Sequence, residues 1–311
     1  MADRGIRLAL IGTVLCMLLF LTSKAAFAEN DTALRRVASA SLCADQYILA
    51  LADRRQIVSL TWQSQGPLSA YADRAVGIPI NHGAAEEFIA SKIDVVVVDE
   101  WGSTELRRVL ARFDIAFVEL PLVDDFATIE ATVVEVAHAL GQDERGEAVI
   151  ADMRSRLARV DRLNAEVPFA PLAVYFRPDG GGAGVGTYVD TAMARAGFVN
   201  VARRYGMTGW GRVPLEQLVL DPPDAIVTSF FDTSHDSLAR RFGSHALYQQ
   251  FSRDAHVIAV PAKLWPCSAP MLAEATELMA RARVERFRAE QNGQGQADPN
   301  QRGVGKNGAG R

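Results

Sequence analysis

The chain is 311 residues long, 49% hydrophobic and 23% charged, with a formal net charge of −4. These are the proportions of a globular protein. The mild acidic excess excludes a basic nucleic-acid-binding surface.

The first feature in chain order is an export signal. Arg4 and Arg7 precede an uncharged apolar run from Leu8 to Leu21, and Ala26-Phe27-Ala28 follows Lys24. A positive start, a short apolar core and an A-x-A site predict a cleavable secretory signal over residues 1–28, because a membrane span needs ~20 apolar residues. A retained anchor is the competing reading. Arg4 and Arg7 are not adjacent, which excludes a twin-arginine signal. Cys16 lies inside the apolar core behind Leu15, where a lipoprotein signal wants a small residue. A soluble periplasmic protein is therefore expected. Cleavage after Ala28 would leave 30 basic and 36 acidic side chains, a net charge of −6.

Residues 29–142 read as an α/β lobe. Arg36 to Ser39 opens a strand, and Ala44 to Ala52 has helical spacing with Asp45 near its start. Ile57 to Thr61 is a second strand, ending at Trp62. A further apolar stretch, Val76 to Ile78, leads to Asn81-His82-Gly83. Glu86 to Ala90 predicts a short helix and Asp94 to Val98 a strand whose continuous valines suit burial on both faces. A helix over Thr104 to Arg112, a strand over Ile115 to Leu120 and a helix from Phe126 to Leu140 complete the lobe. Alternating strands and helices imply a parallel sheet.

Residues 143–167 differ. From Glu144 to Ala165 the apolar positions 149, 150, 153, 157, 160 and 163 form one helical stripe, about 30 Å long at 1.5 Å per residue. It reads as a spine between two lobes, the plainer alternative being a surface helix of a single domain. Residues 168–290 repeat the α/β pattern. A strand over Leu172 to Phe176 is followed by a glycine-rich loop to Gly186, a helix from Tyr188 to Ala196 and a short helix from Pro214 to Leu220. Then come a strand from Ala225 to Thr228, a helix around Leu238, a strand from Val257 to Val260 and a helix from Pro270 to Glu290. Residues 291–311 have Val304 as their only large aliphatic side chain. Such a segment buries too little apolar surface to offset its ordering entropy, and a disordered tail is expected.

The two lobes echo one another. Glu86 precedes Asp94 by the same spacing that separates Glu216 from Asp224, and each pair joins a helix start to a strand start.

Motifs for catalysis are missing from the sequence: it contains no G-x-S-x-G or S-x-x-K arrangement and no H-E-x-x-H. His82, His235, His245 and His256 show no metal-ligand spacing, and His82 reads first as a hydrogen-bonded loop residue. The loop DGGGAGVG, with Gly182, Gly184 and Gly186, lacks the full G-x-G-x-x-G and any G-K-[ST]. It reads as a flexible loop approaching a ligand closely, which glycine permits. A periplasmic hydrolase is the runner-up function, since convergent active sites can leave no local motif.

With these elements in order, the chain resembles the cobalamin/ferric-siderophore family of periplasmic ABC-transporter substrate-binding proteins. The resemblance is carried by Arg36-Val37-Ala38-Ser39 with the following LCADQ segment, by Gly77 through Glu86 and by the Glu86/Asp94 unit. In the second half it is carried by the glycine loop with Ala196 to Asn200, by Trp210 to Glu216, and by Val257 to Pro270 with Trp265. It implies two Rossmann-like lobes joined by one long α-helix, with a ligand cleft between them. It further implies a binding protein rather than an enzyme, acting as a monomer, with no intrinsic cofactor and a cobalt- or iron-containing ligand such as a corrinoid, siderophore or heme. Its partners would be an inner-membrane permease and ATPase, and Glu86 and Glu216 match the family's permease-docking glutamates, with Glu87 an adjacent alternative.

In such folds ligands meet loops beyond the carboxyl ends of strands. That rule selects Cys43, Trp62, Asn81, His82 and Glu100-Trp101 in the first lobe, and Arg177, Tyr188, Trp210, Phe231 and Trp265 in the second. All four tryptophans fall at such positions; the plainer reading is that each caps the core from a loop. Arg177, Arg212 and Lys263 would suit an anionic chelate, whereas tryptophan-rich walls suit a corrinoid. Cys43 and Cys267 both follow strands and would face the same cleft. In an oxidising compartment they are either a disulfide across its mouth or two free thiols near the ligand.

Overall fold

The computed structural model describes residues 34–100, 104–122, 124–230, 246–253 and 255–295. The expected signal peptide, Trp101, Phe231 and the end of the tail fall outside these residues, as does the helix expected around Leu238.

The first lobe comprises β1 (Val37–Ser39), α1 (Leu42–Leu51), β2 (Ile57–Thr61), α2 (Ala72–Ala75), β3 (Ile80–Asn81), α3 (Ala85–Ala90), β4 (Val95–Asp99), α4 (Thr104–Arg112), β5 (Ala116–Leu120) and α5 (Phe126–Leu140). Its strands form one parallel sheet in the order β3-β2-β1-β4-β5. Val95 to Val98 of β4 are all buried, because helices cover both faces. Local chemistry sets the helix ends. The Ser41 hydroxyl accepts the Ala44 amide at the start of α1, and Asp125 accepts the Thr128 amide at 2.7 Å at the start of α5. Gly141 stops α5 in a left-handed conformation, φ 66°, that a side chain would strain.

α6 (Asp143–Ala165) is the spine, 23 residues long and hence about 35 Å. Its buried stripe of Ile150, Met153, Leu157 and Val160 packs against α5 on one side and the last helix of the chain on the other.

The second lobe contains β6 (Leu172–Phe176), β7 (Gly181–Ala183), α7 (Tyr188–Arg195), β8 (Val199–Asn200), β9 (Trp210–Arg212), α8 (Leu215–Leu220), β10 (Ala225–Thr228), α9 (Ala246–Phe251), β11 (His256–Ala259) and α10 (Leu272–Gly295). The main sheet is parallel in the order β11-β10-β6-β8, and β7 pairs with β9 in a separate two-stranded antiparallel sheet.

The main hydrophobic core runs without a break from Val37, Tyr47 and Val97 through Met153 and Leu157 to Tyr175, Trp265 and Met279. Smaller clusters around Phe88 and Phe176 back the outer faces of the two sheets. A shared, close-packed core makes the lobe junction stiff.

The expected echo has a geometric counterpart. Asp94 accepts the Arg36 amide at 2.7 Å just before β1, and Asp224 accepts the Leu172 amide at 2.7 Å at the start of β6. Two boundaries differ from expectation. The apolar stretch Val76 to Ile78 is not itself a strand, since Gly77 adopts φ 78°, and the strand forms just after it at Ile80–Asn81. The last helix continues past Glu290 to Gly295, so residues 291–295 of the expected tail are helical, with Arg286 and Glu290 paired one turn apart.

Candidate ligand-binding cleft

In the first sheet the strand order reverses between β1 and β4, and in the second between β6 and β10. Loops beyond those strand ends diverge and leave a crevice. A cavity of about 370 Å³ lies there, walled by residues that follow or end the strands: Cys43 after β1, Asp99 in β4, Pro121 after β5, Arg177 after β6, Phe230 after β10 and Trp265 after β11. α1 presents Cys43 and Tyr47 to it, and α7 presents Tyr188.

Its floor is covalent. Cys43 and Cys267 form a disulfide with Cα atoms 5.4 Å apart, joining the first lobe to the second. The oxidised sulfurs supply neither a thiolate ligand nor a nucleophile. Around the bond the phenols are committed to backbone. Tyr47 Oη donates to the Ser268 carbonyl at 3.1 Å, and Tyr188 Oη to the Trp265 carbonyl at 2.7 Å. Burial raises the pKa of Tyr47, Tyr175 and Tyr188, so all three stay neutral phenols.

The second-lobe wall is aromatic. Tyr175 meets Trp265 edge-on at 5.3 Å, and Trp210 leans on Tyr188 at 5.4 Å and on Tyr175 at 6.4 Å. The Arg177 guanidinium sits 5.1 Å from the Phe230 ring centre, a cation–π pair, and 3.4 Å from Asp179. Arg177 and Trp210 also border an adjoining bay of about 250 Å³ with Arg212 and the paired strands β7 and β9. One wall of the cleft thus combines broad apolar faces with two guanidinium groups.

Cys43, Arg177, Tyr188, Trp210 and Trp265 therefore meet around one cavity. Other expected contacts among the described residues lie elsewhere. Trp62, 63% exposed, is not among the described cavity walls, and neither is His82, whose ring nitrogen lies 3.3 Å from Glu87. Asn81 is 2% exposed and structural: its amide group donates to the Ser39 carbonyl and the Ser59 hydroxyl and accepts the Gly83 amide. The reason is strand order: β2 and β3 lie on the side of β1 away from β4, off the switch point. Lys263 does not border this cavity either.

The glycine loop is also corrected. It is the paired strand β7, not a flexible ligand loop. A Cβ on Gly182 would fall 2.4 Å from Val213, and one on Gly184 2.4 Å from the Met207 carbonyl oxygen, so the close approach is to the protein's own chain. Tyr47, Asp99, Leu120, Leu122, Tyr175 and Phe230 escaped the sequence reading. Asp99 and Leu120 close predicted strands and could have been found by applying the strand-end rule one residue earlier.

Beside the cleft, Asp45 is fully buried in α1. It accepts hydrogen bonds from Ser39 Oγ, the Thr61 amide at 3.0 Å and Thr61 Oγ1. Burial raises its pKa to about 6, against the lowering effect of those hydrogen bonds and with a contribution from the charge of Asp99.

On the lobe surfaces, Glu86 and Glu216 are both exposed in the first turns of α3 and α8, with no ion-pair partner among the described residues. Glu87 is occupied: its carboxylate accepts the His82 and Ala84 amides at 2.9 and 3.1 Å. Partial burial works against it, yet these bonds and His82 hold its pKa below the usual range.

The sequence model of the Periplasmic binding protein family matches residues 37–263, both lobes and the spine. The chain is a periplasmic binding protein. Solved structures similar to this periplasmic binding protein include the apo heme-binding protein RhuT from Roseiflexus sp. RS-1, with a TM-score of 0.67 and 19% identity over 81% of this chain and 98% of that one. A periplasmic heme-binding protein from Pseudomonas aeruginosa gives a TM-score of 0.64 and 22% identity, covering 80% and 92%. The molybdate-binding MolA from Haemophilus influenzae gives 0.65 and 17%, covering 82% and 88%. At these identities the likeness shows the two-lobed fold. A sequence search of curated proteins finds no match. Among the described residues of this binding protein, no helix is long and apolar enough to cross a membrane.

Proposed function

We propose that this binding protein is exported by cleavage of residues 1–28, captures a metal chelate in the aromatic cleft and delivers it to an inner-membrane ABC permease. The observation that carries the proposal is the wall of Tyr175, Tyr188, Trp210, Phe230 and Trp265 at the strand ends, with Arg177 and Arg212 beside it. Broad ring faces supply apolar area at little entropic cost, and the guanidiniums suit carboxylates at a chelate's edge. A corrinoid, a ferric siderophore and a heme all present this combination, and the likeness to two heme-binding proteins favours the iron-containing members. Trp62, exposed after β2, is retained as a contact for ligand beyond the cavity.

Capture rather than catalysis is supported by the chemistry of the walls. Both thiols are oxidised, and the phenols of Tyr47 and Tyr188 are neutral and engaged by carbonyls. Delivery rests on Glu86 and Glu216. Two exposed carboxylates on separate lobes of a stiff body give a two-point register against basic pockets of a permease, and they steer encounter more than they add affinity. Glu87, consumed by its own helix start, is the weaker candidate.

Two measurements test this. Tryptophan fluorescence titrated with hemin, cyanocobalamin and ferric siderophores should show saturable quenching by one of them, lost in Trp210→Ala; no response to any would remove the ligand class. Glu86→Lys and Glu216→Lys should each abolish uptake with chelate affinity unchanged. Loss of affinity in those variants would instead make the glutamates structural.

A further inference from the structure

A second cavity, of about 870 Å³ against about 370 Å³ for the cleft, lies apart from it. It lies at the other end of α1, beside the start of β2, between the first lobe, the spine and the second lobe. Besides Arg156, four of its lining residues are cationic: Arg54 and Arg74 from the first lobe, Arg145 from the spine and Lys263 from the second lobe.

None of these four has a carboxylate within salt-bridge distance among the described residues. The acids that share the groove are taken by other arginines. Asp53 pairs with Arg55 at 3.1 Å, and Arg156 holds Asp152 at 3.0 Å and Glu274 at 3.6 Å. Arg54, Arg74 and Arg145 instead hydrogen-bond backbone carbonyls. Arg54 donates to the Arg74 and Val76 carbonyls at 2.7 and 2.6 Å, Arg74 to Leu49 at 3.3 Å, and Arg145 to Ala52. Arg74 is further fixed 4.8 Å over the Tyr71 ring.

Those carbonyls belong to the ends of α1 and α2, and a helix end carries only about half a charge in total. Capping them leaves the guanidinium charges largely uncancelled. It also orients the forks in advance, so little side-chain freedom remains to be lost on binding. The Lys263 side chain, exposed and without a hydrogen-bond or ion-pair partner among the described residues, adds a fourth cation. Cations from three separate parts of the fold converging on one groove form a receptor for clustered negative oxygens.

We infer that this groove is a second binding site, taking a small polyanion with two or three carboxylate or phosphate groups. Its occupant touches both lobes and the spine at once. The site stands independently of what the aromatic cleft binds.

Calorimetric titration of the full exported chain at low ionic strength, with citrate in one arm and pyrophosphate in the other, tests it. At least one probe should bind one to one, and affinity should fall about tenfold in Lys263→Glu and in Arg145→Gln. Arg108→Gln removes an exposed charge of α4 outside the groove and should leave affinity within about twofold. Because Lys263 is exposed and makes no hydrogen bond or ion pair among the described residues, K263E keeps the test valid if R145Q fails to fold. Three outcomes overturn the inference: no saturable binding of either probe, equal weakening by Arg108→Gln, or binding of a hexaglutamate peptide where neither small anion binds. The last would reassign the groove to an acidic protein partner.

Discussion

The two lobes place acidic side chains at matching points of their folds, yet satisfy the buried ones with different chemistry. At the sheet edge the solutions agree, Asp94 and Asp224 each holding the amide that starts the first strand of its lobe. On the first helix they diverge. Asp45 in α1 is surrounded by hydroxyls and an amide. Asp190 in α7 is met by Asn200 at 2.9 Å and by the Arg203 guanidinium at 2.9 Å. The second lobe treats Glu277 of α10 in the same way, ringed by Arg159 of the spine and by Arg281, and these hydrogen bonds hold its pKa near 2 against the opposing effect of burial. Neutral partners leave a buried carboxyl able to take a proton, whereas arginines keep it ionised.

The largest test separates the lobes themselves. Replacing both Cys43 and Cys267 by Ser should cost about 4 kcal/mol, since the bond closes a loop with a sequence separation of 224 residues. Scanning calorimetry should still show one transition, because the main core runs through both lobes. Two transitions would mean that the disulfide, not the core, couples them.

Next is the pH dependence of Asp45. Its folded pKa of about 6 lies above the ordinary aspartate value of 3.8, so the folded state binds the proton more tightly. Stability from this group is full below pH 4 and is lost as pH rises through 6, a span of about 3 kcal/mol. Asp45→Asn should flatten that part of the stability curve in denaturant titrations at pH 4 and pH 7. An unchanged slope would place the ionised carboxylate comfortably in its site.

Glu277 should behave oppositely. Its pKa falls from 4.5 to about 2, so its contribution is present above pH 4.5 and disappears as pH falls toward 2. Discounted for the exposure of Arg281, that contribution is about 2 kcal/mol. Glu277→Gln should therefore lose stability at pH 6 and little at pH 2, as followed by urea unfolding. The smallest effect tests the shared feature: Asp94→Ala and Asp224→Ala should each cost about 1 kcal/mol, one charge-assisted bond to an amide. Clearly unequal costs would break the equivalence of the two lobes.

Much of the fold was legible because it is written in local periodicity. The spine needed only its apolar stripe, and β4 only its valines. The Glu86/Asp94 and Glu216/Asp224 registers led to matching hydrogen bonds because their spacing reflects one repeated unit. The cleft was less legible. Knowing that Trp62, Asn81 and Cys43 all follow strands does not say which strands adjoin the switch point, and strand order depends on pairing between distant residues. The glycine loop misled for a similar reason, since the chain that crowds Gly182 and Gly184 comes from Met207 and Val213, more than twenty residues later. Lys263 stands one residue before Leu264 and two before the cleft-lining Trp265, but the short helical turn at Ala262–Leu264 carries it to the far groove.

The bond between Cys43 and Cys267 also sets an order of events. In a chain that emerges amino terminus first, Cys43 appears long before its partner, and nearly every strand and helix of both lobes lies between them. The thiol of Cys43 must therefore wait, reduced or parked on an oxidase, until the final part of the second lobe has arrived. Once the ring is sealed, a protease that cuts any loop within it leaves two fragments still linked. Such a nicked molecule would run as intact protein on a gel without reductant and as two pieces with it.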